Sequence, residues 1–137
     1  CQSKEEAGRV LSQLKIAIRT NYSNPPTHGA AVVAAVLNTP ALRQQWEQEL
    51  GAMRVRIKQM RQALVEGLQA AGIEQDMSFV TRQIGMFSYS GLSKEQMVRL
   101  RSEYGVYGTD TGRMCVAALN SGNIAYVCES IAKVLAG

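Results

Sequence analysis

The sequence predicts an α+β fold in which one long helix leads into a small mixed sheet with helices. Two observations carry that expectation. From Leu42 to Leu68 apolar residues recur in steps of three and four, the period of one helix face. After Gly85 the pattern breaks into short apolar runs separated by glycines, reading strand, helix, strand, strand, helix.

The first element is a helix. Ser3-Lys4-Glu5-Glu6 has the form of a capping box, and Leu11, Leu14 and Ile18 follow at helical spacing to about Thr20. It ends before Pro25-Pro26, because proline lacks the backbone donor and pushes its predecessor out of helix. Asn21 to Asn24 is then a loop between a helix end and a stiff diproline, a place where side chains are held for function. His28 to Leu37 (HGAAVVAAVL) is compatible with a buried strand or a small-residue helix, and its alanines favour helix.

Thr39-Pro40 starts the long helix as N-cap and first helical position, and Gly72 stops it. From Pro40 to Ala71 such a helix is roughly 48 Å long, whereas a domain of this size is only roughly 29 Å across. A helix of that length bridges two bodies, which points to a missing partner region. Gly85 to Ser90 (GMFSYS) reads as a strand with Met86, Ser88 and Ser90 on one face, Phe87 and Tyr89 on the other. Ser93-Lys94-Glu95-Gln96 is a second capping box, opening a helix through Met97, Leu100 and Tyr104 that Gly105 ends. Val106-Tyr107 and Arg113 to Ala118 read as short strands, and Asn120 or Ser121 as the cap of a last helix carrying Ile124, Val127, Ile131 and Val134.

Composition removes several function classes. With 46% hydrophobic and 19% charged residues the chain is globular, and no apolar run is long enough to span a bilayer. It has no secretory-signal pattern and begins with Cys1 rather than Met, a start expected of a fragment or of a processed chain. Three widely spaced cysteines and a single histidine complete no zinc site and fit free thiols in a reducing cytoplasm. The net charge of +4 is mild. The basic cluster Arg54, Arg56, Lys58 and Arg61 lacks interleaved aromatics, so it reads as a solvated helix face rather than a nucleic-acid site.

Two arginines stand out. Arg113 opens an apolar strand after Thr111-Gly112, and Arg19 closes a helix just before the rigid loop. A guanidinium fork suits a carboxylate through bidentate geometry and permanent charge. Taken singly, each also reads as an ordinary surface arginine.

The run Ile18-Arg19-Thr20-Asn21-Tyr22-Ser23-Asn24-Pro25-Pro26-Thr27-His28-Gly29-Ala30 closely resembles the loop that follows the cofactor lysine in aspartate and aromatic aminotransferases. Gly85 to Leu92 resembles the small-domain strand of that family, and Gly105-Val106-Tyr107 and Gly112 to Ala117 follow in the family's order. The resemblance covers essentially the whole chain and implies the C-terminal part of an α/β pyridoxal-phosphate enzyme of fold type I. Residues 1–50 would be the tail of the large cofactor-binding domain and 51–137 the small domain, entered by the interdomain helix at about 40–71.

The same resemblance implies roles. Arg113 would fork onto the substrate α-carboxylate. Arg19 would reach across a homodimer to grip a distal carboxylate in the neighbouring site, with Ser23 and Asn24 lining that shared pocket and Phe87 near the substrate. The partners would be amino acids and 2-oxo acids. Pyridoxal phosphate belongs to the intact parent: Lys4, Lys15, Lys58, Lys94 and Lys133 all fall on helix surfaces or caps, so this chain alone is expected neither to bind the cofactor specifically nor to transaminate. Two departures matter. Gly108-Thr109-Asp110-Thr111 is more polar than the family's usual approach to the arginine, and Asp110 is placed to compete for Arg113. Arg113-Met114-Cys115-Val116 resembles the aromatic-accepting branch more than the R-[VI]-N-V of aspartate-specific members. The rival readings are a non-catalytic carboxylate-binding or self-association module and a basic-helix nucleic-acid binder.

Overall fold

In the computed structural model, residues 1–136 are described, and they divide into two compact units, Cys1–Glu47 and the part from Gln48 on. Helix α1 spans Lys4–Asn21, α2 His28–Asn38, α3 Pro40–Ala70, α4 Phe79–Arg82, α5 Lys94–Tyr104 and α6 Ile124–Leu135. Strands β1, Phe87–Tyr89, and β2, Arg113–Cys115, form the sheet, with a 3-10 turn at Val116–Ala118. Among the described residues no helix is long and apolar enough to cross a membrane.

The first unit holds α1, α2 and the start of α3. Ser3 caps α1 by accepting the Glu6 N–H at 3.1 Å. The reciprocal bond of the expected box is displaced by one residue, because the Glu6 carboxylate takes the Gln2 N–H. His28 to Leu37 is helical, as its alanines favour. Neither α1 nor α2 buries a single residue, and Leu11, Leu14, Ile18, Val32 and Val33 all stand exposed.

The second unit has a core. The apolar stripe of α3 passes from exposed at Leu50 and Met53, through half-buried Ile57 and Met60, to fully buried Leu64 and Leu68. The helix stops in a Schellman motif: Ile73 N–H returns to the Leu68 carbonyl at 3.1 Å and Gly72 N–H to Gln69 at 3.0 Å. Gly72 supplies the positive φ of 83° that the motif needs. Leu68, Val80, Met97, Leu100, Val116 and Ile131 form the driest part of the core.

The small sheet is narrower than the sequence suggests. β1 and β2 pair antiparallel, with Phe87 opposite Cys115, Ser88 opposite Met114 and Tyr89 opposite Arg113. Ser88 and Met114 are buried, whereas Phe87, Tyr89 and Arg113 lie exposed. Met86 does not join the buried set of Ser88 and Ser90 but stays exposed. Val106-Tyr107 is not a strand: the Val106 N–H closes α5 on the Leu100 carbonyl at 3.0 Å, behind Gly105 at φ 64°. The capping box of α5, Ser93 with Gln96, is present as expected.

Beyond Cys115 the chain curls, because the Arg56 guanidinium takes the Ala117 and Leu119 carbonyls at 2.7 Å each. The cap of α6 is Asn123 rather than Asn120 or Ser121. Asn120 spends its side chain on the Gly122 N–H at 2.9 Å, an Asx turn that delays the helix. The four-residue α4 has no counterpart in the sequence pattern.

The basic cluster on α3 is not simply a solvated face. Arg61 is only 3% exposed and donates to the carbonyls of Val80 (2.9 Å), Gly85 (2.9 Å) and Phe87 (2.7 Å) and to Ser88 Oγ (3.1 Å). Burial lowers its pKa from the ordinary value, but a guanidinium starts high enough to stay charged. Arg61→Met should therefore remove the donor from four acceptors, those of Val80 and Ser88 buried and those of Gly85 and Phe87 partly so, and cost upwards of about 3 kcal/mol. Arg56→Met, whose guanidinium is more exposed, should cost about 1 kcal/mol. Urea melts of the two variants check this, and equal losses would contradict it.

Candidate functional site

Arg113 sits where the second unit turns from loop to strand. Gly112, at φ 83°, makes the turn, and a side chain there would begin 2.9 Å from the Leu92 carbonyl. The Gly112 carbonyl accepts both the Ser90 N–H at 2.8 Å and the Ser90 hydroxyl at 2.9 Å, which fixes the strand register just before the arginine. From that register Arg113 faces Tyr89 directly and Phe87 diagonally. Its guanidinium lies over the Phe87 ring, 5.0 Å from the centroid.

Among the described residues Arg113 has no carboxylate partner. The competition anticipated from Asp110 does not occur. Asp110 turns instead to α5, pairing with Arg101 at 3.2 Å. Arg101 is nine residues earlier and on a different element, so sequence spacing gave no sign of it. What remains at Arg113 is a permanently charged fork, backed by an aromatic face and open to solvent. Chemically it can bind a carboxylate, and nothing about it points to proton transfer or nucleophilic attack.

The first unit carries the other predicted residues. Arg19 closes α1 and donates through Nη1 to the Ser23 hydroxyl. Ser23 adopts φ 59°, a left-handed conformation uncommon outside glycine. The loop is tied back to the helix because the N–H groups of Tyr22 and Ser23 both return to the Ile18 carbonyl, at 3.2 and 3.1 Å. Asn24 closes the turn through its backbone, donating to the Tyr22 carbonyl at 2.7 Å. Arg19 is exposed, and its partner is a neutral hydroxyl, so its charge is also free for an acid. The structure thus joins Arg113 with Phe87 in one unit and Arg19 with Ser23 in the other.

Lys4, Lys15, Lys58, Lys94 and Lys133 are all exposed on helices, without the desolvation that is one way to activate an imine-forming lysine. Lys58 lines an open groove with Arg54 and Arg61, without an acid or aromatic to hold a ring. Among the described residues no group of His, Cys, Asp and Glu could hold a metal ion. The Cys128 thiol is buried under Leu64, and burial, followed by the charge of Glu129, pushes its pKa up and away from reactivity.

Residues 1–131 match the family described as aminotransferase class I and II. The chain is 60% identical over 134 residues to an aspartate aminotransferase of Pseudomonas aeruginosa, covering 98% of this chain and 34% of that protein. It is 51% identical over 135 residues to an aromatic-amino-acid aminotransferase of Escherichia coli, covering 98% and 34%. Among solved structures, an aromatic-amino-acid aminotransferase from Burkholderia pseudomallei, covalently bound to pyridoxal phosphate, superposes with a TM-score of 0.92. It shares 64% identity and covers 98% of this chain and 34% of that one. The chain therefore spans about a third of the length of the relatives it matches. It belongs to the class I and II aminotransferases.

Proposed function

We propose that this chain serves as the C-terminal part of a pyridoxal-phosphate-dependent, homodimeric cytoplasmic aminotransferase. Such an enzyme transfers an amino group between aromatic or dicarboxylic amino acids and 2-oxo acids such as 2-oxoglutarate. The observation that carries this reading is the state of Arg113: an exposed guanidinium with no acid partner among the described residues, its strand register fixed by Gly112 and Ser90. The relatives named above include both aspartate and aromatic enzymes, which favours a parent that handles either class. The bare apolar faces of α1 and α2 support the domain reading as well. Exposed surface of this kind marks a face built for burial against other elements, here those of a large domain comprising residues 1–50 and the rest of the parent.

In that parent, Arg113 binds and orients the α-carboxylate that every substrate carries. Phe87 lies under the guanidinium, giving it a low-dielectric backing that strengthens the ion pair. Arg19, poised on Ser23 and followed by Asn24, reaches the neighbouring subunit's site and meets the second carboxylate of aspartate or glutamate. Pyridoxal phosphate supplies the electron sink and the amino-group carrier when bound. The exposed lysines of this chain do not fit that group, so its site lies in the remainder of the parent.

The two arginines should fail differently in the full-length enzyme. A bidentate charged fork makes two hydrogen bonds of roughly 1.5–3 kcal/mol each, so Arg113→Ala should lower kcat/KM on the order of a hundredfold to ten-thousandfold for aspartate and phenylalanine alike. Arg19→Ala should cripple aspartate and leave phenylalanine within about tenfold, because a phenyl ring needs no charge partner. Steady-state kinetics with both substrates decide it. Equal losses in Arg19→Ala would refute the role assigned to that residue.

A further inference from the structure

The polar turn before Arg113 makes more bonds than closing a turn requires, and they converge on one residue. Thr109 grips both backbone polar groups of Arg113. Its N–H donates to the Arg113 carbonyl at 3.0 Å, and its hydroxyl oxygen accepts the Arg113 N–H at 3.2 Å. The Thr109 carbonyl accepts the Gly112 N–H at 2.9 Å, and its hydroxyl shares a 2.8 Å hydrogen bond with that of Thr111. Neighbouring positions reinforce the grip. A side chain at Gly108 would begin 2.9 Å from the Arg113 carbonyl and 2.4 Å from Met97 Cε, so only glycine lets the turn come this close. The tip of the turn is tied to α5 by the 3.2 Å ion pair of Asp110 with Arg101.

These bonds lie on the edge of β2 that β1 does not use. Strand pairing at Ser88 and Met114, continued by Ser90 and Gly112, satisfies the inner edge. At Arg113 the outer edge would face solvent, and Thr109 closes it. The backbone of Arg113 is thus pinned from both sides, leaving the guanidinium only its side-chain torsions, and these are narrowed by the Phe87 ring.

We propose that Thr109 is a positioning residue: its hydroxyl holds the end of β2 so that Arg113 presents its fork to the substrate α-carboxylate. The proposal rests on the reading of Arg113 given above. A clamp on the backbone sets aim rather than charge, and the carboxylate is gripped in ground state and transition state alike. Its loss should therefore fall on binding and spare the chemical step.

The test uses the full-length enzyme with Thr109→Val, which removes the hydroxyl at nearly constant shape, and Thr109→Ala as a second route to the same deletion. KM should rise together for aspartate and phenylalanine by roughly threefold to tenfold, what one hydrogen bond is worth in an equilibrium. The turnover number should stay within about twofold, and Thr109→Ser should restore KM. Unchanged KM in both deletions would overturn the proposal. So would unequal effects on the two substrates, or a loss of kcat or of melting temperature with KM unmoved, the mark of a merely structural threonine. Arg113→Gln in the same assay separates the two levels of inference. If it too leaves KM in place, the carboxylate role of Arg113 falls and takes this proposal with it. If it raises KM steeply while the Thr109 deletions match the parent, only the positioning role fails.

Discussion

The buried guanidinium of Arg61 is the constraint around which the second unit is arranged. A buried charge is expensive unless hydrogen bonds replace its water, and among the described residues no carboxylate does so. Three carbonyls and one hydroxyl meet it instead, drawn from α4, from the bend at Gly85 and from β1. One side chain of α3 thereby fixes where the chain turns after α4 and where β1 begins. Gln83 completes the edge: its amide accepts the Tyr89 N–H at 2.9 Å and donates to the Tyr89 carbonyl at 3.1 Å. The outer edge of β1 is closed by side chains in place of a further strand, which protects a short sheet from unwanted pairing.

From that fixed strand the candidate site follows by geometry. Once Arg61 and Gln83 hold β1, pairing with β2 decides that Ser88 and Met114 point into the core and that Phe87 and Arg113 share the exposed face. The glycine at 112 and the grip of Thr109 then place Arg113 at the start of its strand. Asp110, a latent competitor, is occupied by Arg101. Each of these interactions is modest, and their joint effect is one arginine that is rigidly mounted and chemically unspent. The first unit repeats the theme more simply, with the loop after α1 folded back on Ile18 and Arg19 held on a neutral hydroxyl.

What was legible in the sequence was what local chemistry decides. Ser3, Thr39-Pro40, Ser93 and the glycines at 72 and 105 mark helix ends through bonds to residues a few positions away, and those ends stand close to where they were expected. Elements set by distant partners were not legible. The curl at Val116–Ala118 answers to Arg56, some sixty residues upstream, and Val106 leaves the sheet because its N–H closes a helix. Arg61 shows the limit best: by spacing it joined a basic face, and only the four acceptors waiting in the fold reveal it as a buried staple. Arg113 and Arg19 were found through turn context and family likeness, whereas Thr109 drew notice only as an unusually polar neighbour. Its role emerges from bonds to the backbone, which no side-chain pattern records.

Arg19 and Arg113 sit in separate units of one chain, and the proposed enzyme needs them in different subunits' contributions to a single site. Mixed dimers test that division of labour most directly. Chains carrying Arg19→Ala are combined with chains lacking the parent's cofactor lysine, and heterodimers are isolated by two affinity tags. Each parent homodimer should be nearly inert towards aspartate, one for want of the distal arginine and the other for want of the lysine. The heterodimer should regain one working site in two, about half the wild-type rate per dimer, because a twofold arrangement restores both groups at one site only. Aspartate turnover in purified heterodimers no higher than in the parents would show that Arg19 serves its own subunit or none.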